Sequence, residues 1–302
     1  MSIGLVLEGG AMRGLYTAGV LDVFMENNIN VDGIIGVSAG VLFGVNYLSK
    51  QPGRVIRYNK RFLKDPRYMG FKSLVTTGNV INKDFSFYEV PFKLDIFDND
   101  TYKASEVPFY ATVSNIETGK TEYIQLHDVF EQMELLRATS AMPYVSEIIE
   151  YDGKKYLDGG TTDSIPFKKC KELGYNKIIV ILTRPIDYRK KKSKFNFAKF
   201  KYGKYPKFVE ALNNRYKVYN KTVEEIINME KDENSKKDIF VIRPSRTIKI
   251  KRIEKDENKI QEMYELGRSD ANKILESLIS WMAKWGAFMN IKSPKIELYP
   301  KK

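Results

Sequence analysis

The sequence predicts a three-layer α/β/α fold with a mostly parallel sheet, followed by a basic, α-rich C-terminal extension. Three observations carry this. Short β-branched runs alternate with longer segments of helical period from the N-terminus to about Thr183. The turns after the first two runs are rich in glycine, which lets a strand pass closely into a helix. Beyond Thr183 the texture changes: residues 1–183 hold 20 basic and 22 acidic side chains, a net of −2, whereas 184–302 hold 30 and 16, a net of +14. The chain is therefore divided into an α/β domain at 1–185 and a basic region at 186–302 packed on it.

Ile3–Leu7 is a buried-strand run, followed by GGAMRG and then by LYTAGVLDVFMEN, which has helical periodicity. GIIGV is a second strand ending at Ser38, and AGVLFGVNYLS reads as the next helix. This βαβα start belongs to a parallel sheet covered on both faces. A helix is expected around Arg54–Leu63, then loops rich in Asn, Asp and aromatics as far as residue 105. PFYATVSN reads as a core strand and TEYIQL, after the turn SNIETGK, as its hairpin partner at the sheet edge. HDVFEQMELLRATSA reads as a helix stopped near Pro143. KKYLDGG is a short strand ending in a glycine loop, IPFKKCKELG an amphipathic helix closed by Gly174, and KIIVILT the last parallel strand of the first domain. The basic region then predicts a helix from Pro206 to about Glu230, a strand in DIFVIRP and a final helix from about Asp256 to Ala287. Trp281, Met282, Trp285, Phe288 and Met289 recur at helical spacing and read as a packing stripe.

Composition narrows the chemistry. One cysteine, Cys170, excludes an internal disulfide and suits a reducing compartment. One cysteine with one histidine does not make a zinc site, so no metal and no cofactor is expected. The N-terminus has no basic region before its short apolar run, and no run reaches about 18 apolar residues. A cytoplasmic protein is expected, peripheral at most to the inner membrane surface.

Three glycine signals fall after predicted strands: GGAMRG (Gly9–Gly14), GVSAG (Gly36–Gly40) and DGG (Asp158–Gly160). In a parallel sheet such strand ends lie along one edge, where ligands bind. A serine between two glycines after a strand suits a nucleophile elbow, with Gly36 and Gly40 permitting the tight turn and Ser38 exposed at its apex. A hydroxyl needs a base, and the single histidine, His127, reads as the N-terminal residue of a helix instead. A dinucleotide site fails on the residues: the middle glycine of G-x-G-x-x-G is Ala11, and no acidic residue ends the second strand.

In this order the signals EGGAMRG, GVSAG and DGG, with RATSAMP (Arg137–Pro143), resemble the patatin-like phospholipase family over about residues 4–183. The resemblance implies a Ser–Asp dyad, with Ser38 as nucleophile and Asp158 as its base, no histidine, and Gly159 and Gly160 as the turn beside it. It implies an oxyanion hole in Gly9, Gly10, Ala11, Met12, Arg13 and Gly14, the amides of Gly10, Ala11 and Met12 donating and Arg13 bracing the loop or adding charge. The chain departs from the family where its third glycine is Ala11, which suits the loop only if that residue has negative φ. The implied activity is hydrolysis of carboxylic esters of acyl lipids, of phospholipase A or lysophospholipase type, through an acyl-enzyme. A serine-dependent acyltransferase, and a non-catalytic membrane- or partner-binding protein on the same scaffold, are the alternatives.

Residues 189–207 carry nine basic side chains and no acidic one, interleaved with Phe195, Phe197, Phe200, Tyr202 and Tyr205. No nucleic-acid-binding motif accompanies them. The alternatives for this strip are a solvated surface loop and a functional one; for the functional reading, cations with aromatics match an anionic lipid surface, so peripheral membrane contact is the expectation and nucleic acid is not.

Overall fold

A computed structural model describes residues 2–192 and 197–283. Its elements run β1 (Ile3–Leu7), α1 (Leu15–Glu26), β2 (Gly33–Val37), α2 (Ala39–Leu48), α3 (Arg54–Phe62), α4 (Phe71–Thr77), a π-helical stretch (Asp84–Leu94), α5 (Asn99–Lys103), β3 (Phe109–Asn115), β4 (Thr121–Gln125) and α6 (Met133–Ser140). They continue with β5 (Ile149–Tyr151), β6 (Lys154–Asp158), α7 (Phe167–Glu172), β7 (Lys177–Ile181), α8 (Phe197–Tyr202), α9 (Pro206–Lys231), β8 (Ile239–Ile242) and α10 (Glu257–Ala283).

The eight strands form one sheet in which β2, β1, β7 and β8 lie side by side and parallel, with β3 parallel to β2. Alternation along the strands splits the core into two layers. Leu5, Leu7, Ile34, Ile179 and Ile181 face α1, α2, α6 and α10. Val6, Ile35, Ile178 and Val180 face Phe167 and Cys170 of α7 and Val223 and Ile226 of α9. This is the three-layer α/β/α arrangement expected. The later part of the chain completes it, since β8 extends the sheet beyond β7 and α10 packs along α1. That last contact is backbone-close: a Cβ on Gly19 would sit 2.2 Å from the Tyr264 carbonyl oxygen, and one on Gly267 would sit 2.1 Å from that of Tyr16. Trp281 and Met282 pack against the core, whereas Trp285, Phe288 and Met289 lie outside the described residues.

Three local expectations change. Residues 50–105 are not mostly loop: α4, the π-helical stretch and α5 fill them, built on aromatics such as Tyr68 and Phe85, whose rings meet 6.5 Å apart. The helix expected from His127 starts only at Met133, because the Asp128 carboxylate takes the N–H groups of Phe130 and Glu131 and holds a turn there. The DGG strand, β6, is antiparallel to its neighbour β3 instead of joining the parallel set. It is the second arm of a hairpin with β5, turned at Asp152 (φ 49°) and Gly153 (φ 70°).

β3 has three partners on its two edges. Tyr110–Ser114 pair with β4, Phe109–Thr112 with β2, and Val113–Asn115 with β6. Because β4 fills one edge, β2 and β6 must share the other. β2 ends with Val37 opposite Thr112, and β6 ends with Asp158 opposite Val113. The two strands thus meet end to end, with Ser38 leaving one and Asp158 closing the other.

Candidate active site

Ser38 stands at the sharp corner between β2 and α2, with φ 54° and ψ −121°. A non-glycine residue there costs on the order of 1–3 kcal/mol and persists only where neighbours enforce it. Thr139 is one enforcer: its Oγ1 accepts the Ser38 N–H at 3.0 Å and donates to the Thr112 carbonyl at 2.7 Å. Space is the other. A Cβ on Gly40 would sit 2.5 Å from the Leu7 carbonyl oxygen, and one on Gly36 would sit 3.0 Å from the Gly40 carbonyl carbon.

The Ser38 hydroxyl donates to Asp158 Oδ2 at 2.7 Å. The other carboxylate oxygen, Oδ1, accepts the Gly160 N–H at 2.7 Å. The Asp158 backbone is pinned as well, its N–H donating to the Ala141 carbonyl and its own carbonyl accepting the Ser114 hydroxyl. Gly159 lies against β3 so tightly that a Cβ there would sit 2.1 Å from the Thr112 carbonyl oxygen. Ser38 is 8% and Asp158 6% exposed. Burial pushes the Asp158 carboxyl above the ordinary carboxylate range, opposed by the charge of Arg215 and by the Ser38 and Gly160 hydrogen bonds. The result is a carboxylate more basic than a solvated one, aimed at a serine hydroxyl.

The glycine loop lies beside this pair. A Cβ on Gly9 would approach Ser38 Cβ to 3.2 Å, and one on Gly14 would approach Ala39 Cβ to 2.8 Å. Ala11 overturns one expectation: its φ is +49°, not negative. The chain leaves β1 through Gly10 (φ −156°, ψ 3°) and enters a 3₁₀ turn over Ala11–Gly14, and the left-handed step falls on the alanine. None of the site's glycines (Gly9, Gly10, Gly14, Gly36, Gly40, Gly159, Gly160) has positive φ; the positive values belong to Ala11 and Ser38. The Met12 N–H donates to the Arg252 carbonyl at 3.4 Å and the Arg13 N–H to Gly10 at 3.1 Å. The Gly10 and Ala11 amides have no acceptor among the described residues. Arg13 is half-buried, its Nε without a partner. Burial, then repulsion from Arg184, lowers its guanidinium to about 10.

Ser38 and Ala11 border two cavities of opposite character. One, of about 130 Å³, is lined by apolar side chains including Leu42, Phe43, Phe87, Val90, Met133 and Leu136. The other, of about 70 Å³, contains Asp158, Glu8 and a set of arginines and a lysine, four of them from beyond Thr183. The motifs pointed to Ser38, Asp158 and the glycine loop. They did not point to Thr139, although it lies inside RATSAMP, or to the cations, which no motif links. His127 is exposed and borders neither cavity, its backbone N–H bonded to Gln132 Oε1.

The family model described as patatin-like phospholipase matches residues 5–170, and one described as a domain of unknown function (DUF6363) matches residues 205–283. An uncharacterized protein of Escherichia coli K12, YjjU, is 31% identical over 193 residues, covering 61% of this chain and 52% of that one. A lysophospholipase NTE1 of Cryptococcus neoformans is 29% identical over 196 residues, covering 61% of this chain and 11% of the fungal protein. The chain thus spans about half of the first relative and about a tenth of the second. The crystal structure of VipD from Legionella pneumophila aligns with 91% of the chain and 67% of its own, at 11% identity and a TM-score of 0.43.

Proposed function

The chain belongs to the patatin-like phospholipase family, a family of lipid ester hydrolases, and on that premise we propose that it cleaves acyl esters through Ser38 and Asp158 by way of an acyl-enzyme. The observation that carries this reading is the 2.7 Å hydrogen bond from Ser38 Oγ to a buried carboxylate that is itself held by Gly160. Asp158 takes the Ser38 proton as Oγ attacks the ester carbonyl. The negative charge formed on the carbonyl oxygen is met by the Gly10 and Ala11 amides. Asp158, now protonated, gives its proton to the leaving alcohol oxygen, so no histidine relay is required. Water then attacks the acyl carbonyl as Asp158 takes its proton, and Asp158 returns that proton to Ser38 Oγ as the Oγ–acyl bond breaks and the fatty acid leaves. The apolar cavity suits the acyl chain, since burying each CH₂ there contributes about 0.8 kcal/mol.

We extend the proposal to where the lipid is met. Phe200 of α8 is 92% exposed and Phe71 of α4 81%. Helix α8 and the chain just after α4 are tied to the segment after α6: Lys201 Nζ donates to the Tyr144 carbonyl, the Tyr144 N–H donates to the Tyr202 hydroxyl, and the Val80 N–H donates to the Val145 carbonyl. That segment includes Met142, which borders both cavities. Exposed aromatics with Lys199 and Lys201 beside a cavity mouth suit an anionic lipid surface. Lys194 and Phe195 of the basic strip lie outside the described residues. No described helix is long and apolar enough to cross a membrane.

The test is a serine-reactive fluorophosphonate. Mass spectrometry is expected to find the adduct on Ser38, with none in Ser38→Ala. Labelling elsewhere, with ester hydrolysis surviving in Ser38→Ala, would overturn the assignment.

A further inference from the structure

The smaller cavity holds an imbalance of charge. Among the described residues, Arg13, Arg184, Lys190, Arg215 and Arg252 border it with two carboxylates, Glu8 and Asp158. Among the described residues none of the five cations has a carboxylate within ion-pair distance, whereas Arg54, the buried cation under the apolar cavity, has Asp95 at 3.1 Å. The two carboxylates are already engaged. Glu8 accepts the Thr183 N–H at 2.6 Å and the Tyr219 hydroxyl, and Asp158 holds Ser38 and Gly160. Arg215 lies over the turn, its guanidinium 3.2 Å from where a Cβ on Gly160 would be, and its Nε is buried without a partner. Clustering cations out of water without anions is costly, and it persists where a ligand supplies the missing charge.

The aromatic faces sharpen the ligand's chemistry. Tyr188 and Tyr219 form an edge-to-face pair 5.9 Å apart, the kind of surface that takes a quaternary ammonium. Here the protein's own cations cover both: Arg184 sits 4.2 Å from the Tyr188 centroid and Lys190 4.1 Å from that of Tyr219. A choline group would find its place taken and like charges around it.

We propose that this cavity binds the phosphate of an anionic lipid headgroup that carries no neighbouring cation, holding it while the acyl chain fills the apolar cavity and the ester carbonyl lies at Ser38. The proposal rests on the esterase reading above and makes the later part of the chain, which supplies Arg184, Lys190, Arg215 and Arg252, the reader of the headgroup. Burial, with repulsion from Arg215 and Arg252, holds the Lys190 ammonium down at about 7. A bound phosphate would raise it again.

The test uses the full chain and four substrates with one oleoyl chain each in the same nonionic micelles: lysophosphatidic acid, lysophosphatidylglycerol, lysophosphatidylcholine and monooleoylglycerol. The expected kcat/KM is at least about tenfold higher for the two anionic lipids than for the other two, as charge-assisted contacts to one phosphate imply. Arg215→Gln and Lys190→Gln are expected to shrink that ratio about tenfold, and Arg215→Lys to restore part of it. Arg184→Gln provides the same reading at a half-buried loop position should the α9 variant fail to fold. A wild-type ratio near one, or a ratio that survives all three Gln variants, overturns the headgroup assignment. So does a site for free phosphate, seen as inorganic phosphate changing hydrolysis of p-nitrophenyl butyrate while the lipid ratio stays flat. Failure of the wild type to hydrolyse p-nitrophenyl butyrate or to take the fluorophosphonate would sink the esterase reading itself.

Discussion

The stretch up to Thr183 and the stretch after it supply different things to the cavity that Ser38 and Asp158 border. The first contributes the groups proposed to make and break bonds, on a near-neutral background: Ser38, Asp158 and the loop amides, all at strand ends and all inside short contiguous motifs. The second carries the net of +14 and contributes charge from single residues far apart, with Arg184 and Lys190 in a loop, Arg215 on α9 and Arg252 before α10. The difference teaches that reaction chemistry is local in sequence because it depends on backbone turns, while recognition of a charged group needs only side chains that converge in space.

The largest expected effect breaks the first stretch alone. Ser38→Ala and Asp158→Asn should each lower kcat/KM on a soluble ester by about 10⁴ or more, with the double variant hardly worse than either, because the pair acts as a unit. His127→Ala should match the wild type in the same assay; a loss comparable to that of Asp158→Asn would end the dyad reading. Stability should move the other way. Asp158 has a folded pKa raised above its unfolded value, so its contribution is fully present below the unfolded pKa and is lost as pH rises through the folded one. At neutral pH the ionised carboxylate is a burden that Asn lacks while still accepting from Gly160. Thermal melts should therefore show Asp158→Asn at least as stable as the wild type at pH 7, with the gap closing on acidification.

The same shift sets the acid limb of activity. Since the base must be ionised, kcat/KM on a neutral soluble ester should fall below a midpoint that lies above the ordinary carboxylate value near 4. A midpoint at or below that value would mean that Asp158 is not the titrating base.

A smaller effect joins the two stretches at the lipid surface, since Phe71 belongs to the first and Phe200 to the second. Replacing Phe71 and Phe200 by Ser should lower the ratio of vesicle to soluble-ester activity about tenfold, since two exposed aromatics lose their place among the headgroups. Raising salt should weaken sedimentation with anionic liposomes in the wild type and in this variant alike, because the lysines remain. Equal losses on both substrates would assign the two residues to the fold.

The smallest effect concerns Ala11. With φ at +49°, glycine removes about 1 kcal/mol of left-handed strain and adds a similar entropy to the unfolded chain, so Ala11→Gly should melt within about 1 kcal/mol of the wild type. Ala11→Val puts a β-branched residue where φ is positive and should lower kcat several-fold. An unchanged kcat in the Val variant would remove Ala11 from the oxyanion loop.

Much of the layer structure was legible because β1, β2 and β7 are largely apolar runs and α1, α9 and α10 are long and periodic. The direction of β6 was not, because a five-residue strand has the same pattern either way. A signal did exist: Asp152-Gly153 between short strands is the pair that a two-residue hairpin favours, and it marks β5 and the reversal together. The helices between Leu63 and Pro108 escaped because their aromatics pack in a cluster with no single face. At the site, Ser38 and Asp158 could be named from their turns, whereas the strain at Ala11 could not, since alanine is ordinarily a poor tenant of the left-handed region.

The end-to-end meeting of β2 and β6 along β3 works as a ruler. The separation of Ser38 from Asp158 is set by ladder hydrogen bonds that neither motif owns, and the 119 residues between them are spectators to it. Because side chains alternate faces, a one-residue slip of β6 would turn Asp158 away from Ser38, and a two-residue slip would carry it about 7 Å along the strand. The pairing therefore has no intermediate setting. Insertions in the loops over the cavities can reshape what enters the site without detuning the pair, whereas a change in how β5 turns into β6 would erase it at a stroke.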